Sequence, residues 1–173
     1  NRQVDHMVRL VDDLLEVSRI TRGKIELRLE RVSLGQVIAS AVETSRPLID
    51  AARHELIVTF PGEEVLLEAD PVRLSQVFAN LLNNAAKYTD EGGTIWLSAR
   101  AEGSDAVIAV RDTGSGIAPE KLPQVFEMFS QADRVEGRPQ DGLGIGLSIV
   151  RNLVEMHGGN VEAKSAGVGR GSE

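Results

Sequence analysis

Asp70-Pro71-Val72-Arg73-Leu74-Ser75-Gln76-Val77-Phe78-Ala79-Asn80-Leu81-Leu82-Asn83-Asn84-Ala85-Ala86-Lys87-Tyr88 is the stretch on which the reading turns. Asp70 suits a helix N-cap and Pro71 the first helical position, so a helix is expected from there to about Tyr88. Leu74, Val77, Phe78, Leu81, Leu82 and Ala85 recur at three-and-four spacing and give it an apolar arc. Asn80 and Asn84 share another arc, with Lys87 about one turn further on. An amide oxygen is a hard, neutral ligand suited to Mg²⁺ already carried on phosphate. A lysine supplies a point charge for the same phosphates. A solvated helix face could carry the same three residues.

Two glycine turns follow downstream. Asp112-Thr113-Gly114-Ser115-Gly116-Ile117 closes the apolar run Val107-Ile108-Ala109-Val110. Its glycines let the backbone approach a flat ligand, and its carboxylate could accept a hydrogen bond from an exocyclic amine such as that of adenine. Alone, it also reads as an ordinary strand-ending turn. Asp141-Gly142-Leu143-Gly144-Ile145-Gly146-Leu147 precedes a helix whose free N–H groups could cradle phosphates. Alone, it also reads as a glycine-rich linker. Its spacing is not that of the dinucleotide-binding fold, and the chain has no Walker lysine motif. Taken together and in order, the three segments describe a pocket for a nucleotide and its metal. Residues 130–141, polar and aperiodic, read as a loop that could cover the phosphates, with Arg134 and Arg138 within it.

Working outward, residues 4–20 read as one amphipathic helix with a coiled-coil-like seam of Val4, Val8, Val11, Leu15 and Ser18. Such a stripe needs a partner helix, expected upstream or in another chain. Thr21-Arg22-Gly23 ends it. Residues 24–30 alternate with period two, as a half-buried strand does. Ser33-Leu34-Gly35-Gln36 fits a capping box opening a helix with Val37, Ile38, Ala41 and Val42 inward. Residues 56–60 and 65–69 read as a strand pair around Pro61-Gly62, and residues 94–101 and 106–112 as a hairpin. A helix is expected near residues 120–126, another over 145–156, and a strand over 160–163. Hairpins joining interleaved strands favour a mixed sheet with helices on one face, an α+β two-layer α/β sandwich, over a doubly wound parallel fold.

Composition narrows the classes. Only 3% of the 173 residues are aromatic, so the core must be aliphatic. A net charge of −7 argues against a nucleic-acid partner. With no cysteine, disulfides and thiolate chemistry are excluded. No apolar run approaches a membrane span, so no membrane contact is expected of this segment. The sequence opens in what reads as mid-helix and stops just after a glycine-rich turn, so a larger parent protein is expected.

The three segments resemble the ATP-binding domain of sensor histidine kinases, within the wider superfamily of gyrase, HSP90, histidine kinase and MutL ATPases. The stretch from Asn80 to Tyr88 is similar to that family's N box, Asp112 to Ile117 to its first glycine box, Phe126-Glu127-Met128-Phe129 to its F box, and Gly142 to Leu147 to its second glycine box. Leu14-Leu15-Glu16-Val17-Ser18-Arg19 resembles the second helix of the dimerisation and phosphotransfer hairpin. The resemblance implies two units: residues 1–22 as part of that hairpin and residues 23–173 as the catalytic ATP-binding domain. It implies ATP and Mg²⁺ as cofactors. Asn84 would hold Mg²⁺, with Asn80 near the phosphates and Lys87 contacting them. Tyr88 would line the base pocket and Asp112 would bind the adenine amine. Gly114, Gly116, Gly142, Leu143, Gly144 and Gly146 would shape the pocket and its lid.

The ATPase cousins place a glutamate where Asn80 stands. Asparagine is a poor general base, which favours phosphoryl transfer to a protein over hydrolysis. An ATP-driven conformational module of the chaperone kind is the alternative. The family's acceptor histidine stands beside an acid, with Thr or Asn three residues further. His6 is followed by Met7-Val8-Arg9-Leu10, so it departs from that pattern. His6, His54 and His157 therefore read as structural, and the phosphoacceptor is expected outside this chain. Implied partners are the upstream acceptor hairpin, a homodimer partner and a response-regulator or receiver domain. The domain is expected in the cytoplasm, whether or not the parent is attached to a membrane. A last strand, expected after Gly171-Ser172-Glu173, is absent from the sequence.

Overall fold

The computed structural model describes residue 11, residues 26–130 and residues 144–173. Of the expected helix over residues 4–20, only Val11 is among them, and it is helical and exposed. The segment 131–143, with Arg134, Arg138, Gly142 and Leu143, lies outside the described residues, as does His6.

In chain order the elements are β1 (Glu30–Ser33), α1 (Leu34–Ala51), β2 (Glu55–Thr59), β3 (Leu66–Ala69), α2 (Pro71–Tyr88), β4 (Thr94–Glu102), β5 (Asp105–Asp112), a short 3-10 turn (Leu122–Gln124) and α3 (Gly146–Met156). The helix α2 starts where its sequence dictates. The Asp70 carboxylate accepts from the amides of Val72 and Arg73, both at 3.1 Å. Those N–H groups have no intrahelical partner, so the cap supplies what the first turn lacks. Leu74, Val77, Phe78, Leu82 and Ala85 are buried along one stripe. The helix ends where Thr89 turns extended, with Lys87 in the last turn.

Around α2 the molecule is two-layered. It packs between α1 on one side and α3 on the other, and it also touches β4 and β5. In β4, Ile95, Leu97 and Ala99 are buried while Trp96 and Ser98 between them are half-exposed, the period-two signature of a sheet covered on one face. The core is aliphatic, as 3% aromatic residues require. Its fully buried members include Leu34, Ile38, Ile49, Leu82, Ile95, Leu97, Ile149 and Leu153. Each such side chain contributes about 1.5–3 kcal/mol by leaving water.

The strands depart from the expected pairing. Residues 56–60 and 65–69 do form strands, β2 and β3, but not with each other. β2 pairs parallel with β4, and β4 antiparallel with β5, giving a mixed sheet in the order β2-β4-β5. β3 instead pairs antiparallel with β1 in a separate two-stranded ribbon. The physical reason lies between them: Phe60 to Val65, with Pro61, span too many residues for a tight hairpin and carry no ladder. The expected hairpin over 94–112 is present, in the register Ile95↔Asp112 to Glu102↔Asp105.

Four smaller expectations are corrected. The first strand is Glu30–Ser33 rather than residues 24–30, because residues 26–29 run past Asp70 without a ladder partner. Ser33 is the N-cap of α1, but its hydroxyl makes no capping bond; the Leu34 amide donates to the Val65 carbonyl at 2.9 Å instead. Residues 120–126 contain only the 3-10 turn, with Pro123 inside it. Residues 160–163 are not a strand: Lys164 and Glu173 exchange backbone hydrogen bonds at 2.7 and 2.8 Å, and continuing that register would need residues past Glu173.

Candidate functional site

Two clusters form along α2. The first lies midway, where α3 begins. A Cβ on Gly146 would stand 3.9 Å from Asn84 Nδ2 and 4.0 Å from Asn80 Cγ, so the first turn of α3 rests against both amides. Asn80 Nδ2 is buried and has no hydrogen-bond partner. An unpaired buried amide donor costs about 1–3 kcal/mol, and a phosphate oxygen beside it would remove that cost. Asn80, Asn84 and Lys87 are half-buried. The free N–H groups of α3's first turn open at the same place.

The second cluster lies at the C-terminal end of α2. Asp112, the last residue of β5, is buried. Its Oδ1 accepts from the Gly114 amide at 2.7 Å and its Oδ2 from the Ser172 hydroxyl at 2.5 Å. A carboxylate has about four lone-pair sites, so two bonds leave room for an amine donor. The Ser115 amide donates to the Tyr88 carbonyl at 2.9 Å, clamping this turn to the end of α2. Gly114 must be glycine here, because a Cβ would collide with that carbonyl oxygen. Gly116 adopts φ 66°, and a Cβ on it would collide with the Gly167 carbonyl oxygen. Lys87 Nζ stands 5.1 Å from the centre of the Tyr88 ring.

Tyr88 lies eight positions after Asn80, about 12 Å along a helix. The clusters could therefore engage opposite ends of one elongated ligand. Of the site residues expected from the sequence, Asn80, Asn84 and Gly146 come together at the first cluster, and Tyr88, Asp112 and Gly114 at the second, with Gly116 beside it. The Gly144 carbonyl accepts from the Phe129 amide at 3.1 Å, joining the F-box-like segment to the start of α3.

Ser172 and Ser165 were not anticipated. The Ser165 hydroxyl lies between the Ile117 amide, 3.0 Å away, and the Gly171 carbonyl, to which it donates at 2.7 Å. The Asp112 amide donates to the Ser172 carbonyl at 2.9 Å, and the Gly171 amide to the Gly114 carbonyl at 3.1 Å. The segment 165–172 is thus the wall behind the first glycine turn. Its one sequence signal was the spacing Gly167, Gly169, Gly171, which marks close backbone approach.

His54 packs under the end of α2. His54 is buried, and its Nε2 donates to the Ala86 carbonyl at 2.9 Å, satisfying an end-of-helix acceptor of α2. Elsewhere, an open depression of about 480 Å³ lies between the loop around Pro61-Gly62 and the tip of the β4–β5 hairpin. Glu63, Glu64 and Asp105 line it, and their charge would repel a polyphosphate. Among the described residues, no helix is long and apolar enough to cross a membrane.

Comparison with known proteins bears on the family and the fold. The family described as histidine kinase-, DNA gyrase B- and HSP90-like ATPase matches residues 69–173. The chain is 35% identical over 170 residues to the circadian input-output histidine kinase CikA of Synechococcus elongatus, covering 97% of the chain and 22% of that protein. It is 33% identical over 165 residues to the alginate biosynthesis sensor protein KinB of Pseudomonas aeruginosa, covering 95% of the chain and 27% of KinB. Among solved structures, full-length ShkA in complex with AMPPNP superposes with a TM-score of 0.82 at 32% identity, over 99% of this chain and 35% of ShkA. The Acinetobacter baumannii histidine kinase AdeS, 23% identical with a TM-score of 0.78 over 99% of this chain and 77% of that one, shares the fold. The chain spans between about a sixth and a third of the length of the curated relatives it matches.

Proposed function

We propose a phosphoryl-transfer role on one premise: the chain belongs to the family of histidine kinase-, DNA gyrase B- and HSP90-like ATPases. In this reading it is the ATP-binding catalytic part of a sensor histidine kinase. It passes the γ-phosphate of ATP to a histidine outside this chain, in a two-component relay. The observation that carries the reading is the unpartnered, buried Asn80 Nδ2 beside Asn84 and the first turn of α3. That arrangement suits phosphate oxygens, while Asp112 and Tyr88, at the end of α2, suit an adenine.

Each residue then has a physical task. The Asp112 carboxylate accepts the exocyclic amine, held in place by Gly114 and Ser172. Asn80 donates to phosphate, and Lys87, whose ammonium stands over the Tyr88 ring, would swing from it to offer charge to the same group. Asn84 offers one amide oxygen, which fits Mg²⁺ that takes its other ligands from phosphates and water. Bound there, Mg²⁺ would neutralise charge on the transferring phosphoryl group. Gly142, Leu143 and Gly144 belong to the phosphate-side turn in this reading. Asn80 itself, an amide rather than a carboxylate, is not suited to activate water. Residues 1–22 are taken as the second helix of the acceptor-bearing hairpin, and residues 23–173 as the catalytic unit. The acceptor hairpin, a second subunit and a receiver domain are the proposed partners, in the cytoplasm.

The test is phosphoryl transfer with γ-labelled ATP. The chain alone should remain unlabelled, because His6 lacks the acceptor context and transfer needs close, in-line geometry. A supplied hairpin carrying an acceptor histidine should gain acid-labile label. Free phosphate released faster than label appears would favour an ATP-driven conformational module instead.

A further inference from the structure

The helices α2 and α3 are antiparallel, and α3 meets α2 at both of its own ends. At one end Gly146 rests on Asn80 and Asn84. At the other, His157, the C-cap of α3, meets Asp70, the N-cap of α2. The Asp70 amide donates to His157 Nε2 at 3.1 Å, and His157 Nδ1 lies 2.7 Å from the Leu153 carbonyl. A carbonyl can only accept and an amide can only donate. The ring proton therefore sits on Nδ1, and Nε2 is the acceptor. In a capping box, the third helical residue accepts from the N-cap amide. That residue is Arg73, which has no acceptor. A histidine from a different helix takes its place.

We propose that His157 is a positioning residue for the nucleotide site. It sets the axial register of α3 on α2, and so the placement of α3's first turn against Asn80 and Asn84. The inference rests on the reading of that site as a phosphate site. Ile149, Val150 and Leu153 of α3 are buried, and aliphatic packing is non-directional. Interlocked side chains hold the helices together and limit sliding. The Asp70–His157 bond is directional and adds a sharper constraint on where along α2 the helix α3 stops. His157 lies eleven positions after Gly146, so the pin acts over about 16 Å. A misplacement of 1 Å at a distance can cost about a hundredfold in rate. Asp70 is itself held, because its Oδ2 accepts the Arg28 amide at 3.0 Å, which ties the segment entering the domain to the same point.

The test compares ATP with adenosine, each titrated in the presence of Mg²⁺ into the wild-type chain, His157→Leu and His157→Gln. His157→Leu should weaken ATP about tenfold and leave adenosine within about twofold, since the Asp112 end is untouched. His157→Gln, which can both accept and donate, should recover most of the ATP affinity. Equal weakening of both ligands would reveal a merely structural residue and overturn the inference; so would unchanged ATP binding by a folded His157→Leu. Should that variant not fold, nitrogen NMR of the wild-type ring decides: a proton on Nε2 instead of Nδ1 breaks the pin. Failure of the wild-type chain to bind ATP would instead remove the phosphate-site reading, and this inference with it.

Discussion

The Ser172 hydroxyl donates to Asp112 Oδ2 at 2.5 Å, while the Asp112 amide donates to the Ser172 carbonyl at 2.9 Å. Two residues 60 positions apart are thus joined through side chain and backbone at once. The side-chain bond orients the carboxylate, and the backbone bond fixes its distance. Asp112→Asn should weaken ATP binding by about 1.5–3 kcal/mol, the loss of a charged hydrogen bond. Ser172→Ala keeps the backbone bond and should weaken it in the same direction by about 1 kcal/mol. Calorimetry on both variants measures this, and wild-type affinity in Asp112→Asn would remove Asp112 from the base pocket.

Asn84→Ala should lower ATP affinity chiefly in the presence of Mg²⁺. Asn84 is proposed to give the metal one oxygen, so in EDTA the variant and wild type should differ by less than about twofold. Titrations with and without the metal compare the two. A loss of equal size in both conditions would mean that Asn84 acts on something other than the metal.

Gly116→Ala should disrupt the first glycine turn. The residue would have to hold φ 66° and push against the Gly167 carbonyl. Ala where φ is positive destabilises by more than about 1 kcal/mol. Thermal melting should show a lower midpoint, and hydrogen exchange should rise at Gly169, whose amide donates to the Ser115 carbonyl at 2.6 Å. An unchanged midpoint would contradict the close approach.

The Asp70 carboxyl sits below its ordinary value of 3.8. Burial pushes it up, but bonds from the amides of Arg28, Arg73 and Val72, with the Arg73 charge, outweigh that. A folded value below the unfolded one stabilises the protein fully above the unfolded value, and the contribution fades as pH falls through the folded value. Acid unfolding should therefore steepen below about pH 4 in the wild type. Asp70→Asn retains an N-cap oxygen without the titrating group, so its stability should vary less with pH there. Denaturant midpoints between pH 5 and pH 2.5 make the comparison. Parallel curves would mean that Asp70 contributes nothing to the acid limb.

What the sequence by itself determined was local. Asp70-Pro71 and the three-and-four spacing fixed α2 at Pro71–Tyr88, and alternation fixed the β4–β5 hairpin. Both elements carry their own stop signals and their own period, so a short window suffices. The motifs placed Asn80 and Asn84 on one side of α2, because their spacing along one helix sets their azimuth, and both stand against Gly146. Only the tertiary structure decided who stands opposite whom. Period two states which face of a strand is buried but not its neighbour, so β2 joined β4 and left β3 to β1. The same holds for Ser172 behind Asp112 and His157 on Asp70: each contact rests on one or two hydrogen bonds between residues far apart in the chain. A directional bond of that kind leaves no periodic trace in a sequence, since it exists only once the packed helices and sheet have brought its two ends within 3.1 Å or less.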